Sequence, residues 1–168
     1  MERRNGRLLA SVGLAAVLVV TLGFSAPSYA EKWTPVQLSV FNPVQAVPDD
    51  WCIYGLRLNV LYGENDTVAG LDLGIGANQT TRRTSGVQAA LVGNLAERMD
   101  GVQAAVLFSG ADIARGVQIG AVTISSETKG LQLGLFNFTT KAKGVQIGLI
   151  NWIEEGWLPF CPLINWNF

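Results

Sequence analysis

Apolar and polar residues alternate along most of the chain in an octet that recurs at nearly constant spacing. The clearest copy reads GVQIGLIN and begins at Gly144. Nine copies are recognisable, and they begin at Pro35, Gly55, Gly70, Gly86, Gly101, Gly116, Gly130, Gly144 and Leu158. From Gly55 onward the starts differ by 15, 16, 15, 15, 14, 14 and 14 residues, after a first step of 20 that holds a proline-rich insert. Such spacing indicates a repeat protein.

Within an octet, positions two, four and six are mostly Val, Leu, Ile or Ala, whereas positions one, three and five are mostly Gly, Gln and Gly or Ala. This alternation predicts a β-strand with one apolar face. The frequent glycines and β-branched residues disfavour a helix. The short polar segments between octets read as turns. The sequence therefore predicts an all-β domain of nine strand units, each of about 14–16 residues.

Two architectures fit such units. In an antiparallel meander or small β-barrel each unit is one strand, whereas in a β-solenoid each unit is one complete coil. Position seven is apolar almost throughout, so the apolar face changes sides after position six, which requires a β-bulge in a barrel strand or a corner in a solenoid. Nine is also an odd strand number, and prolines occur in both terminal units.

The end of the chain favours the barrel. Ile164, Trp166 and Phe168 alternate with two asparagines, and this segment resembles the carboxy-terminal assembly signal of bacterial outer-membrane β-barrel proteins. The repeats also resemble a bacterial surface-repeat family, which implies a cell-surface location and no established activity. On this resemblance we expect a meander or small barrel, with the β-solenoid as the alternative, and the outer membrane and its barrel-assembly machinery as partners if the protein is a barrel.

The amino terminus has the pattern of a signal peptide. Three arginines precede an uncharged run over 8–24, and Ser28 and Ala30 provide small residues for cleavage. We expect residues 1–30 to be a signal peptide and 31–168 to form a single β-repeat domain. A retained membrane anchor is the alternative reading of this segment.

The amino-acid composition limits the kinds of catalytic and binding site that the chain can form. The 168 residues include no histidine, so the commonest general acid–base and metal-ligating side chain is absent. A net charge of -1 gives no electrostatic basis for binding nucleic acid. The carboxylates are scattered through the turns, and no phosphate-binding loop occurs. We therefore predict no catalytic residue, no metal site and no cofactor.

Position three supplies the other candidate residues. It is Gln in six units but Arg57 and Asp72 in two adjacent ones, which predicts an ion pair. The Gln row either lines a lumen or forms a ladder. Cys52 and Cys161 lie near the two ends of the repeat region and are candidates for a disulfide, which a closed barrel allows and a stack separates too widely.

The expected function is a non-enzymatic, exported structural β-repeat protein in the outer membrane or at the cell surface of a bacterium. The alternative is a soluble periplasmic or secreted solenoid that binds a ligand or mediates adhesion through a flat face rich in Gln and Asn.

Overall fold

The computed structural model describes residues 32–168, and the predicted signal peptide lies outside this range. The described chain is β-structure joined by short turns. Its strands are β1 (Trp33–Phe41), β2 (Val44–Gln45), β3 (Cys52–Asn59), β4 (Tyr62–Gly74), β5 (Ala77–Ala90), β6 (Gly93–Ala105), β7 (Phe108–Ile153) and β8 (Phe160–Asn167). Within residues 32–168 no helix is long and apolar enough to cross a membrane.

The strands stack as successive coils of a β-solenoid. Their order in the sheet is β2-β1-β3-β4-β5-β6-β7-β8, and each pair from β1–β3 to β6–β7 is parallel. Gly55 lies beside Gly70, Gly70 beside Gly86, and this register continues to Gly116. The long β7 holds the units that begin at Gly116, Gly130 and Gly144, and these glycines also stack on one another.

The expected antiparallel meander or barrel is therefore wrong, and the solenoid alternative is confirmed. The physical reason lies in positions six and seven, which are both exposed, as at Val60 and Leu61 or Val106 and Leu107. The chain turns a corner there and continues around the coil instead of reversing. Only the ninth unit departs from the parallel stack, because β8 pairs with β7 in the antiparallel direction.

Position one has a conformational reason to be glycine. Gly116 has a φ of 121°, in the region that side chains rarely adopt. A Cβ atom there would lie 2.1 Å from the carbonyl oxygen of Gly101 in the preceding coil. The same positive φ recurs in each octet that begins with glycine. Glycine thus allows the backbone to turn while adjacent coils remain in contact.

Both ends of the stack are closed by segments outside the regular repeat. At the first coil, the insert between β1 and β3 covers Gln37, whose side chain exchanges two hydrogen bonds with the backbone of Val47 (3.0 and 3.1 Å). At the last coil, β8 places Asn165 opposite Gln146. These closing segments hold four of the six prolines, Pro43, Pro48, Pro159 and Pro162, which cannot donate a backbone hydrogen bond to a parallel ladder.

Candidate functional site

The outer surface of the solenoid carries a continuous apolar face, which we define as positions two, four, six and seven of the eight units between Pro35 and Asn151. Every residue at these positions is apolar except Gly76. Many are strongly exposed, including Leu61 and Val106 (both 60%) and Leu149 (57%). The alternating apolar residues that a strand normally turns toward a core thus point outward here.

The carboxy-terminal strand extends this apolar face. In the antiparallel register Ile164 lies opposite Ile147 and Trp166 lies opposite Val145, so both share the outward side of position-two and position-four residues. Ile164 is 48% and Trp166 44% exposed. Phe168 follows at the end of the strand and is 87% exposed. The predicted assembly-signal residues therefore lie together on or beside the apolar face.

The interior of the solenoid is polar along position three. The six glutamines there are buried: Gln37, Gln88, Gln103, Gln118, Gln132 and Gln146. We call the row from Arg57 to Gln146 the interior ladder. Each amide nitrogen donates to the preceding coil, as in Gln146 to Gln132 (2.7 Å) and Gln132 to Gln118 (3.0 Å). Of the two alternatives for the Gln row, the ladder is therefore confirmed, because the glutamines bond one another inside the coils.

The interior ladder ends on the predicted ion pair. Gln88 Nε2 donates to Asp72 Oδ2 (2.8 Å), and Arg57 donates to both carboxylate oxygens (2.8 and 2.6 Å). Arg57 and Asp72 have 0% exposed side chains. Since every amide in the ladder points its N–H toward Asp72, the aligned dipoles favour a negative charge at that end. Arg57 then neutralises the carboxylate, so the geometry assigns the pair a structural role.

Substituting Gln118 by Leu is expected to lower the free energy of unfolding by about 2 kcal/mol. The substitution leaves the buried Oε1 of Gln103 without its donor and removes the Gln118 oxygen that accepts from Gln132 Nε2. Chemical denaturation of the purified chain measures the change. Val117→Leu, on the outward side of the same coil, is the control and should stay within about 0.5 kcal/mol of the wild type. Equal stability of Gln118→Leu and the control would contradict a stabilising ladder.

A second buried polar row lies across the coil. Asn78 donates to Asn94 (3.1 Å), and Asn59 at position five reaches this row by donating to Asn78 (2.8 Å). Further along, Asn137 donates to Asn151 (2.7 Å). These amides donate toward the C-terminal end, opposite to the interior ladder. The flat Gln- and Asn-rich binding face expected for a solenoid is therefore wrong, because these amides satisfy one another inside the coils.

The apolar face holds one groove near its N-terminal end. The groove has a volume of about 830 Å³, and β2 lies at one side of it. Its lining is almost entirely aliphatic, with Leu38, Leu58 and Leu73 at position four and Val60, Ile75 and Leu91 at position six. This size is within the range of small-molecule pockets, but the groove offers few polar groups to fix an orientation.

Charged residues concentrate on the part of each coil that precedes the glycine of the next. Arg115, Lys129 and Lys143 each stand directly before such a glycine, and all are exposed. Lys129 bonds Glu127 (2.7 Å), and this hydrogen bond lowers the pKa of the Glu127 carboxyl.

At the first coils, burial and a hydrogen bond to Glu64 raise the pKa of Tyr62 to about 12. No group of acids or cysteines among residues 32–168 is arranged to hold a metal.

The two cysteines are not brought together. Cys52 lies in β3 and Cys161 in β8, so seven coil steps of about 4.8 Å place them ~33 Å apart, far beyond the ~7 Å that a disulfide spans. The predicted disulfide between them is therefore not formed in the monomer.

Sequence reasoning found the residues of the apolar face but left its direction open, because the barrel reading turned them outward and a solenoid with a Gln- and Asn-rich binding face turned the amides outward instead. The apolar residue at position seven, next to another at position six, was the available signal, because two adjacent outward residues mark an exposed corner. The chain matches no known protein family, no curated protein and no solved structure.

Proposed function

We propose that this protein is a non-enzymatic docking module whose apolar face is the contact surface. The observation that carries the proposal is the outward apolar character of positions two, four, six and seven, interrupted only at Gly76, above a buried row of hydrogen-bonded amides. An ordinary soluble repeat protein turns such residues toward its core. Here the apolar residues gain burial only when something covers the face.

The size of the face supports this function. Nine stacked rows at about 4.8 Å and the four residue steps from position two to position six at about 3.3 Å give a flat rectangle of ~38 by ~13 Å, or roughly 500 Å² in projection, to which the position-seven residues at the corner add further apolar surface. Soluble monomers rarely expose contiguous apolar patches larger than about 300–600 Å². Leaving it in water is unfavourable by about 25 cal/mol for each Å² of accessible apolar surface. We infer that the functional state covers this face.

The interior ladder supports the same function by fixing the shape of the face. The glutamines from Gln88 to Gln146 bond one another at 2.7–3.1 Å, so adjacent coils are held in one register. The apolar side chains therefore stand in straight rows along the stack. A rigid scaffold of this kind suits binding.

We further propose that the module is exported, on the basis of the signal-peptide pattern over 1–30. An outer-membrane or cell-surface location agrees with the family resemblance of the repeats, and a periplasmic or secreted protein is the alternative. Barrel-assembly machinery is no longer an expected partner, because that expectation required a barrel.

Two acidic substitutions on the apolar face test the docking function. Leu135 and Leu149 occupy position six of adjacent coils and are 50% and 57% exposed. In detergent-free buffer we expect the wild-type chain to elute as an assembly or with bound amphiphile, and the Leu135→Glu/Leu149→Glu chain to elute as a monomer. Size-exclusion chromatography with light scattering measures the difference.

The matched control places two glutamates on the other side of the same region. Ser126 and Thr140 occupy position eleven of adjacent coils. The Ser126→Glu/Thr140→Glu chain should behave like the wild type, and all three chains should give the same far-ultraviolet circular dichroism. A wild-type chain that is already a clean monomer in detergent-free buffer and binds no amphiphile would refute the docking function.

A further inference from the structure

We propose that the apolar face docks on the surface of a lipid bilayer, with its aliphatic rows in contact with the acyl chains below the headgroups. This inference rests on the proposed docking function and names its partner. Four features of the described residues support it: the composition of the face, its satisfied backbone, its straight rows and the charge along its edge.

The composition of the face is that of a lipid-facing surface rather than a protein interface. Interfaces between proteins carry about one hydrogen bond for each 100–200 Å² and are enriched in Tyr, Trp and Arg. The apolar face has only aliphatic residues and Phe at its defining positions, apart from Gly76. Acyl chains need no directed polar contact, so a uniform aliphatic surface suffices for them.

Between the two edge strands β2 and β8, the backbone under the face needs no hydrogen-bond partner from outside. In a parallel stack each N–H and C=O of a strand bonds the coil before or after it, along the solenoid axis. The closing strands β2 and β8 pair with β1 and β7 and are the edges of the sheet, so strand edges without a partner strand lie only at the two ends of the described stack. Hydrocarbon can offer no hydrogen bonds, so a surface with satisfied backbone groups is a requirement for contact with lipid.

The geometry of the face also suits a planar partner. The in-register stack of Gly55, Gly70, Gly86, Gly101 and Gly116 aligns the following apolar residues in rows. The flat part of the face, ~38 by ~13 Å, can lie along a bilayer with the remaining sides of each coil in water. Trp166 ends the face at β8, and its amphipathic ring is typical of membrane–water interfaces.

A row of basic residues borders the face at its later coils. Arg115, Lys129 and Lys143 precede the stacked glycines 116, 130 and 144, and the apolar face resumes one residue after each glycine. Arg115 and Lys143 form no ion pair among the described residues. Long basic side chains beside an apolar surface reach anionic headgroups while their stems remain against the hydrocarbon. This charge is complementary to an anionic lipid surface.

Vesicle flotation tests the inference with the full-length chain. We expect the wild type to float with vesicles of phosphatidylcholine alone, and more strongly when phosphatidylglycerol is added. Leu135→Glu/Leu149→Glu should lower binding to both vesicles by at least about tenfold, since two charges would enter hydrocarbon. Arg115→Gln/Lys143→Gln should lower binding to the anionic vesicles by roughly fivefold for each basic residue and leave binding to phosphatidylcholine unchanged.

The controls separate the lipid inference from the docking function. Every variant keeps the apolar run 8–24, so equal flotation of the wild type and the Leu135→Glu/Leu149→Glu chain would show that this run binds the vesicles and would overturn the inference. A wild-type chain that self-associates through the apolar face and does not float would also overturn it, while supporting the docking function. A monomeric chain that neither floats nor binds amphiphile would refute both.

Discussion

A Gly116→Val chain is expected not to fold. The added Cβ would lie 2.1 Å from the Gly101 carbonyl oxygen, and the backbone φ of 121° is one that Val does not adopt. Both obstacles are in the backbone, so no side chain can move aside to relieve them. Separating the two coils would break the parallel ladder in the middle of the stack, where each coil is stabilised only by its neighbours.

The expected result is loss of the β-sheet circular dichroism signal and of a cooperative transition in urea. A penalty above about 4 kcal/mol is large beside the ~5–15 kcal/mol by which a domain is stable. Gly93→Ala is the control, since its added Cβ would approach no atom closer than 3.3 Å and its φ is not in the positive region. A Gly116→Val chain with the urea midpoint of the wild type would show that position one does not require glycine.

The repeat and its strand could be predicted because both depend on local spacing. The octet gave the unit length, and the recurring glycine gave the register in which Gly70 lies beside Gly55. The choice between barrel and solenoid could not be made in the same way. Alternation over six residues is the same in both, and what separates them is the direction of the chain after position seven, which depends on pairing between distant residues.

The end segments also misled the prediction. The alternation of Ile164 and Trp166 with Asn165 fits a barrel strand, but the same alternation fits a strand that closes a stack. In the structure Asn165 is buried opposite Gln146, while Ile164 and Trp166 extend the apolar face. The alternation predicts which residues share a side of the strand. Only the pairing of β8 with the last coil shows that one side covers the interior and the other extends the apolar face.

The side of the coil to which the apolar residues point was the feature hardest to predict from the sequence. Gln at position three and Gly or Ala at position five share one side of the strand, and a row of amides can face either water or its own copies. The stacking distance of about 4.8 Å decides this, because it lets identical amides bond one another inside the coil. Arg57 and Asp72 were paired correctly because they occupy the same position of adjacent units.

Replacing Arg57 alone by Gln is expected to lower the free energy of unfolding by about 3–5 kcal/mol, because it leaves the Asp72 carboxylate buried without its cation. Replacing Asp72 as well should recover at least half of that loss. The double variant carries Gln at both positions, as most other coils do, and extends the amide row without a buried charge. Urea denaturation of the two single variants and the double variant gives the coupling free energy.

The exposed pair of Lys32 and Asp50 is the control for this cycle. Its 3.0 Å separation resembles that of the buried pair, but its side chains are 63% and 57% exposed. Lys32→Gln should therefore cost less than about 1 kcal/mol, since water and salt already screen both charges. Additive single losses for Arg57→Gln and Asp72→Gln would mean that the two side chains do not stabilise each other. Strong coupling would instead show that Arg57 neutralises the carboxylate on which the interior ladder ends. The pair would then stabilise the first coils beneath the apolar face.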